Sequence, residues 1–306
     1  MGRATIDLSN LGVSECMGNF SGLLTGTKLS GTINLMEILS KSKKRHMCAD
    51  AFCQGVEFDN IVMSGESSRR LNSCAYFFKK ASGNSVKFID FDFSRIGSFK
   101  LPNYKGYMRG MFEFANISKV YIDNLNPKSV KQLAFTFQGL DCSLLKIDKL
   151  DLSGVLDISD IFRNAAIQKI TIGDVVRSDV KDISGMCHTA RIHSDLDLSW
   201  LGKVYDFSDA FDFCILDGEL NLSGVAFDVE YLENKLLYCN ESIELFTGAR
   251  IHTLNLVGTD FGELEYRHGS MFYGLQVDTI KVRKGDTALA NFIKQHAKSV
   301  RKVIEI

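Results

Sequence analysis

Short runs in which apolar and polar residues alternate recur along the whole chain. Examples are Val120-Tyr121-Ile122, Ile170-Thr171-Ile172 and Leu254-Asn255-Leu256. A period of two with apolar residues on one face is typical of a strand that is buried on one side. The pattern predicts strands centred near residues 7, 34, 62, 87, 121, 146, 171, 197, 221, 255 and 281.

Between these runs an aromatic residue returns at a nearly constant spacing. The commonest spacing is about 25 residues, and three longer intervals indicate insertions. One short strand per unit of that length cannot bury its apolar face alone, so successive units must stack with their strands in parallel. The returning residues, here called anchors, are Phe20, Phe52, Phe78, Phe112, Phe137, Phe162, Cys187, Phe211, Phe246 and Phe272.

The regular centre of the chain carries a shared motif that ends at the anchor. Residues 155–162, 180–187 and 204–211 each read V-x-D-φ-S-x-φ-φ, where φ is apolar. An Asp at this position can cap a short helical turn whose apolar residues share one inward face. The motif therefore predicts one helical turn in each unit.

Together these patterns predict one domain over residues 1–306, an α/β repeat solenoid of the leucine-rich-repeat kind, right-handed, with one parallel sheet and short helical turns. Ten repeats are expected in residues 20–286. Residues 1–19 are predicted to form an N-terminal half-repeat cap, and residues 287–306 a cap of one helix and one strand, because capped ends protect the open edges of a stacked sheet. Insertions are predicted near residues 36–46, 94–107 and 227–240, the last as an amphipathic helix.

The motif units closely resemble the BspA-like class of leucine-rich repeats, which occur in bacterial surface proteins and mycoplasma lipoproteins. Repeats of that class read V-T-D-M-S-x-M-F-x-x-C followed by L-x-x-L-D-L-S. Met186, Met271, Cys214 and the run Leu196-Asp197-Leu198-Ser199 match this pattern, whereas the Trp-Asp-Thr that often precedes the helix in the family is missing. The resemblance covers essentially the whole chain and implies the solenoid fold and a binding role.

The composition is that of a folded protein, and the balanced charges produce no dominant electrostatic field. Apolar residues make up 45% of the chain, and 36 Lys and Arg nearly cancel 37 Asp and Glu. No run of eighteen apolar residues occurs, which predicts no membrane insertion. The first residues lack the apolar segment of a signal peptide, so we expect a cytoplasmic protein. A surface adhesin, which the resemblance also implies, would need such a segment.

The eight cysteines raise the question of metals and disulfides. Cys16, Cys48 and Cys74 each stand four residues before an anchor, where later units carry apolar residues, so they are interpreted as core thiols. Neither Cys53 nor Cys239 lies in the C-x-x-C or C-x-x-H spacing that zinc needs. We therefore predict no metal, no disulfide and no cofactor.

Catalytic motifs give no support for an enzyme. Cys187-His188 pairs a thiol with a possible base, but neighbouring side chains usually point apart and Cys187 stands at an anchor position. His268 is interpreted as a hydrogen-bonded interior histidine. The sequence contains no G-x-S-x-G, H-E-x-x-H or phosphate-binding glycine loop. The chain is predicted to be non-enzymatic.

The polar residues that alternate with the buried strand positions should share one surface. Parallel stacking places like charges about 5 Å apart, where they repel, so their presence indicates a partner of opposite pattern. The alternative is that these positions are polar only because they face solvent. We predict an intracellular adaptor or inhibitor that binds a partner protein through this strand face and the insertions. The candidate contact residues are Lys87, Lys119, Tyr121, Lys146, Lys169, Thr171, Asp195, Asp197, Glu219, Asn221, Asn255 and Lys281.

A basic run offers a second hypothesis, in which the chain binds nucleic acid. Such a run can neutralise phosphates, although most basic runs are solvated loops, and no aromatic stacking platform is interleaved with this one. Nucleic acid is therefore the less favoured partner. The residues concerned are Lys43, Lys44, Arg45, Arg69 and Arg70.

Overall fold

The structure, a computed structural model, describes residues 18–99, 106–236 and 242–306. Most of the predicted N-terminal cap, the strand expected near residue 7, Cys16 and Cys239 lie outside the described residues. The chain divides into two compact units. The first unit holds the described residues of 1–155 together with 171–177, and the second unit holds those of 156–170 and 178–306.

Strands are the main regular element of the described residues. They are β1 (Lys28–Asn34), β2 (Met47–Cys48), β3 (Glu57–Ser64), β4 (Leu71–Ser73), β5 (Ser82–Ile89), β6 (Asn116–Ile122), β7 (Asp141–Cys142), β8 (Leu144–Leu152), β9 (Ala166–Ile167), β10 (Ile170–Ser178), β11 (Arg191–Ile192), β12 (Leu196–Asp197), β13 (Lys203–Val204), β14 (Ile215–Asn221), β15 (Ala226–Phe227), β16 (Arg250–Asn255), β17 (Gln276–Val282) and β18 (Ser299–Glu305). Every predicted strand centre from residue 34 to residue 281 lies in one of them, which confirms the strand prediction for the described residues.

Parallel pairing dominates each unit. In the first unit the order is β1-β3-β5-β6-β8-β10, with β7 beside β6 and a separate pair of β2 and β4. In the second unit β9, β11, β14, β16, β17 and β18 follow one another, β12 joins β14, and β13 pairs with β15. The predicted parallel sheet is therefore present, with apolar residues on its buried face.

Three α-helices lie where insertions or a cap were predicted. The helix α1 (Leu35–Ser40) is capped by Asn34, whose side chain accepts the N–H of Met36 at 3.1 Å. The helix α2 (Val229–Leu236) lies in the insertion near 227–240 and buries Leu232, which confirms the amphipathic helix. The helix α3 (Thr287–His296) and β18 make up the end of the chain. In the insertion near 94–107 the described residues hold only a 3-10 helix, Phe93–Arg95.

A helical turn is present before the anchor Phe272, where residues Tyr266–Phe272 form a 3-10 helix. Around most other anchors the predicted helical turn is wrong, because these stretches are successions of tight turns. In residues 49–55 the N–H groups alternate between two kinds of acceptor. Those of Phe52 and Gln54 donate to the carbonyl three residues earlier, whereas those of Ala51 and Cys53 donate to the following stretch at 2.8 Å. A helix would keep all of these bonds local. We call these stretches turn segments: 20–26, 49–55, 74–80, 108–114, 133–139, 158–164, 183–189 and 207–213.

Each turn segment contains two residues in the left-handed region, four positions apart. Glycine occupies several of these positions, but Tyr76, Phe114, Phe135 and Phe213 also have φ between 54° and 63°. Three of these rings, those of Tyr76, Phe114 and Phe213, lie over a glycine of the following repeat. A Cβ on Gly139 would come within 2.3 Å of the Phe114 ring, and one on Gly248 within 2.6 Å of the Phe213 ring. The close packing of ring on glycine offsets the strain that φ > 0 imposes on an aromatic residue.

The backbone hydrogen bonds between turn segments correct the predicted alignment of the first two repeats. The N–H of Cys53 donates to the carbonyl of Phe77, which aligns Cys53 with Phe78. In the same way the N–H of Leu24 donates to the carbonyl of Phe52, which aligns Leu24 with Cys53. The positions equivalent to Phe78 are therefore Leu24 and Cys53, not Phe20 and Phe52. Cys48 likewise lies one residue before the equivalent of Cys74, and it is half-buried where Cys74 is fully buried.

Anchor rings form the centre of the core in each unit. In the first unit Phe112 stacks on Phe78 with ring centroids 5.3 Å apart and on Phe137 at 5.4 Å. In the second unit Phe211 stacks on Phe246 at 5.4 Å. All ten predicted anchors are buried. Stacked rings of this kind contribute both apolar burial and favourable ring geometry.

The Asp of the shared motif caps a turn rather than a helix. Asp182 Oδ1 accepts the N–H of Ser184 at 2.9 Å and its hydroxyl at 2.8 Å, and Asp157 accepts the N–H of Ser159 at 2.8 Å. This is an Asx turn, in which a side chain replaces a backbone acceptor. The Asp and Ser of the motif are therefore explained by the start of the turn segment.

Candidate functional site

The strand face of the first unit brings three of the predicted contact residues into one row. Lys87 pairs with Tyr121 across β5 and β6, and Tyr121 pairs with Lys146 across β6 and β8. The ammonium of Lys87 lies 5.3 Å from the centre of the Tyr121 ring. Lys146 Nζ lies 2.6 Å from Asp148 Oδ1, and this hydrogen bond raises the pKa of Lys146.

The four lysines among the predicted contact residues, Lys87, Lys119, Lys146 and Lys169, do not form a single row. Lys119 pairs with Ser85 and Leu144, two residues before Tyr121 on the same outward side of β6. Lys169 lies in the second unit, between β9 and β10, and Thr171 is half-buried in the first unit. Within their repeats, Lys119 and Lys169 stand at an earlier position than Lys87 and Lys146. This offset explains why the four lysines do not share one row.

In the second unit the predicted acidic residues accept hydrogen bonds from residues of the strands that follow them in the chain. Asp195 Oδ1 accepts the N–H of Glu219 at 2.7 Å, and Asp197 Oδ1 accepts an amide proton of Asn221 at 2.9 Å. Glu219 accepts from Asn255 Nδ2 at 2.9 Å and from Lys281 Nζ at 2.5 Å. The contact residues predicted here therefore satisfy their charges largely within the chain.

The basic run is only partly available for a ligand. Lys43, Lys44 and Arg45 are exposed after α1. Arg69 lies 3.9 Å from Glu66, and Arg70 donates a hydrogen bond to the carbonyl of Ser42. Arg70 therefore fixes the segment that carries the lysines.

His268 joins the insertion helix to the rest of the second unit. It is buried, its Nδ1 accepts the N–H of Glu265 at 2.8 Å, and its Nε2 lies 2.7 Å from Glu233 Oε1 on α2. Because Nδ1 accepts, Nε2 carries the proton that is donated to the carboxylate. The prediction of a hydrogen-bonded interior histidine is confirmed.

The contacts of His268 predict a clear loss of stability in His268→Ala. The substitution leaves the N–H of Glu265 and the carboxylate of Glu233 without this partner, so we expect the free energy of unfolding to fall by about 2–3 kcal/mol. Chemical denaturation measures it. The control is His252→Ala, an exposed histidine that also contacts a carboxylate, at 3.0 Å. An equal loss in both variants would contradict the role of burial.

The six cysteines of the described residues are free thiols. Burial raises the pKa of every one, to about 12 for Cys142 and Cys214. For Cys187 the pKa is raised well above its ordinary value, while burial lowers the pKa of the adjacent His188. A thiol with a raised pKa is a weak nucleophile, which fits the interpretation of Cys187 as a core residue.

Sequence patterns gave no sign of a carboxyl cluster in the second unit. Side-chain oxygens of Asp209, Asp212 and Glu244 lie within 4.8 Å of one another, and these are the residues that could hold a cation. Burial, followed by a hydrogen bond with Glu244, raises the pKa of Asp212 to about 8. At neutral pH a shared proton therefore joins Asp212 and Glu244, which removes one of the negative charges a cation would need. Glu244 follows an insertion of irregular length, so its proximity to Asp212 could not be inferred from the spacing of the motifs.

Comparison with known proteins identifies no relative from which a function could be inferred. No protein-family model matches the chain, and no curated protein or solved structure matches it either. Among the helices of the described residues, none is both long enough and apolar enough to cross a bilayer. The functional argument therefore depends on the exposed side chains and the contacts between them.

Proposed function

We propose that the chain is a leucine-rich-repeat-like solenoid of BspA type that binds an acidic segment of a partner protein without catalysing a reaction. Parallel strands joined through turn segments of one recurring form support the solenoid. The strand face of the first unit supplies the binding surface in this proposal. Its contact residues are Lys87, Lys119 and Tyr121, here called the lysine face.

Two uncompensated ammonium groups carry the proposal. Lys87 and Lys119 are exposed on adjacent strands, and in residues 18–99, 106–236 and 242–306 no carboxylate lies within ion-pair distance of either Nζ. Their mutual repulsion is therefore not relieved within the described part of the chain, whereas a carboxylate of a partner would relieve it. Tyr121 lies beside Lys87 and offers an amphipathic ring, the type of residue that often anchors an interface.

The contrast with the second unit strengthens the assignment to the lysine face. There Glu219 is already bound by Asn255 and Lys281, so a partner would have to break these bonds to reach its carboxylate. Breaking a charge-assisted bond costs part of the binding energy it would gain. The basic run has the same disadvantage at Arg70, which is bound to Ser42.

Charge reversal on the lysine face should abolish partner binding. We expect Lys87→Glu with Lys119→Glu to weaken binding by several kcal/mol, at least about a hundredfold, because attraction to an acidic segment becomes repulsion. The thermal midpoint should change little, since both side chains are exposed. Partners are captured from the host lysate on the immobilised protein and identified by mass spectrometry, and calorimetry then measures their dissociation constants.

The matched control is Lys43→Glu with Lys44→Glu, which makes the same charge change in the basic run of the same unit. It should retain the captured protein. Loss of binding in this control but not in the lysine-face variant would overturn the assignment. If nuclease treatment removes every captured partner, the chain binds nucleic acid instead.

A further inference from the structure

A shallow cleft of about 340 Å³ lies on the second unit, across the first residues of β14, β16, β17 and β18. Its floor is formed by the buried residues Leu216, Ile251 and Val277, which are neighbours on three adjacent strands. Polar side chains lie on both sides of this floor, because the residues before and after a buried strand position point outward. A volume of this size fits a small organic ligand or the end of a peptide rather than a single inorganic ion.

On one side of the cleft the carboxylates already have partners within the chain. Asp278 accepts from His252 Nδ1 at 3.0 Å and from Arg301 Nη1 at 3.1 Å. Asp217 contacts His193 Nδ1 at 2.5 Å. Each carboxylate therefore has its own partner, and Arg301 is engaged with Asp278.

The other side of the cleft contains donors without such partners. Arg250, Gln276 and Ser299 are direct neighbours on β16, β17 and β18. Arg250 is exposed, and in the part of the chain that the structure describes its guanidinium has no ion pair. The guanidinium, the amide of Gln276 and the hydroxyl of Ser299 all border the same cleft.

We propose that this cleft binds a ligand through one carboxylate group, held by Arg250 with Gln276 and Ser299 as further donors. A guanidinium matches the two oxygens of a carboxylate in a fork-like pair. The one unpaired positive charge balances the single charge of a carboxylate, whereas a doubly charged phosphate would keep a net negative charge beside Asp217 and Asp278. The ligand is a small carboxylic acid or the carboxyl end of a peptide. The cleft lies in the second unit, so this proposal does not depend on the lysine face.

The test uses the full chain with isotope-labelled arginine and three probes: butyrate, acetyl-Ala-Ala with a free carboxylate, and the same dipeptide with an amidated end. Nuclear magnetic resonance follows the Nε–H signal of Arg250 during each titration. We expect saturable shifts with at least one free carboxylate and none with the amidated peptide. Binding of the dipeptide acid alone identifies peptide ends as the source, and binding of butyrate identifies small acids.

Two variants separate the cleft from general charge effects. Arg250→Gln should weaken binding at least about tenfold, the effect of losing a charged hydrogen bond. Arg191→Gln makes the same change at an exposed arginine on β11 outside the lining of the cleft and should leave the affinity unchanged. Equal weakening in both variants, equal shifts with the amidated peptide, or no shift with either acid at tens of millimolar would overturn the proposal.

Discussion

Phe112→Ala is expected to lower the free energy of unfolding by about 3–5 kcal/mol, the range for removing a buried aromatic ring. Phe112 is fully buried and stacks on Phe78 and Phe137 at 5.3 and 5.4 Å. Its removal leaves a cavity between two rings whose positions are fixed by their own turn segments. Neighbouring segments are bound to each other by backbone hydrogen bonds, so they cannot easily close the gap.

The matched control is Phe114→Ala, two residues further along the same turn segment. Phe114 is 46% exposed and has a φ of 55°. Its removal loses the contact with Gly139 but leaves no closed cavity, so we expect a loss of at most about 1 kcal/mol. Urea denaturation of both variants measures the difference. Similar losses would show that the stacked anchors do not form the centre of the core.

Asp212 should make the stability of the protein fall as the pH rises. Its pKa is raised from the usual 3.8 to about 8 in the folded state, first by burial and then by the hydrogen bond with Glu244. Between about pH 4 and pH 8 the folded state therefore holds a proton that the unfolded state has released. This contribution to stability is fully present below pH 4 and is lost as the pH rises through 8, with a slope of up to about 1.4 kcal/mol per pH unit.

Asp212→Asn isolates this contribution because an amide can keep both bonds. Its oxygen can accept the N–H of Thr247, which lies 2.8 Å from Asp212 Oδ1, and its nitrogen can donate to Glu244. We expect the stability of the variant relative to the wild type to increase steadily from pH 5 to pH 8 in denaturation series. Asp209→Asn, an exposed member of the same cluster, should show a much smaller change. A pH-independent difference for Asp212→Asn would refute the shared proton.

Strand positions were predictable because their signal is local. Alternation of buried and exposed residues is enough to locate a strand such as β6 and to assign Tyr121 to its outward face. The turn segments were predicted wrongly for the opposite reason. Their left-handed positions hold Tyr76, Phe114 and Phe135 as well as glycine, so no residue type marks them. The rings of Tyr76 and Phe114 pack on a glycine of the following repeat, which offsets the strain there, and that packing is not visible in a local pattern.

The candidate sites, like the fold, were predictable only where the signal is local. Sequence periodicity predicted the outward direction of Lys87 and Lys119, but not which outward charges are already bound within the chain. Glu219 and Lys281 are 62 positions apart and meet because a single strand, β16, separates β14 from β17 in the sheet. The cleft around Arg250 was missed because it lies at the start of the strands, where the alternation is interrupted by the irregular pairing of β14 with β16.

The direction of the bonds between turn segments has a consequence for synthesis on the ribosome. The N–H groups of one segment donate to carbonyls of the next segment in the chain, as Phe78 does to Met111 and Phe112 to Thr136. While the protein is being translated, the newest segment therefore exposes backbone donors until its successor emerges. Water satisfies them in the meantime, and the successor replaces that water with carbonyls in a fixed register. Within each unit, the backbone hydrogen bonds between turn segments can therefore form only in the order in which the segments are synthesised.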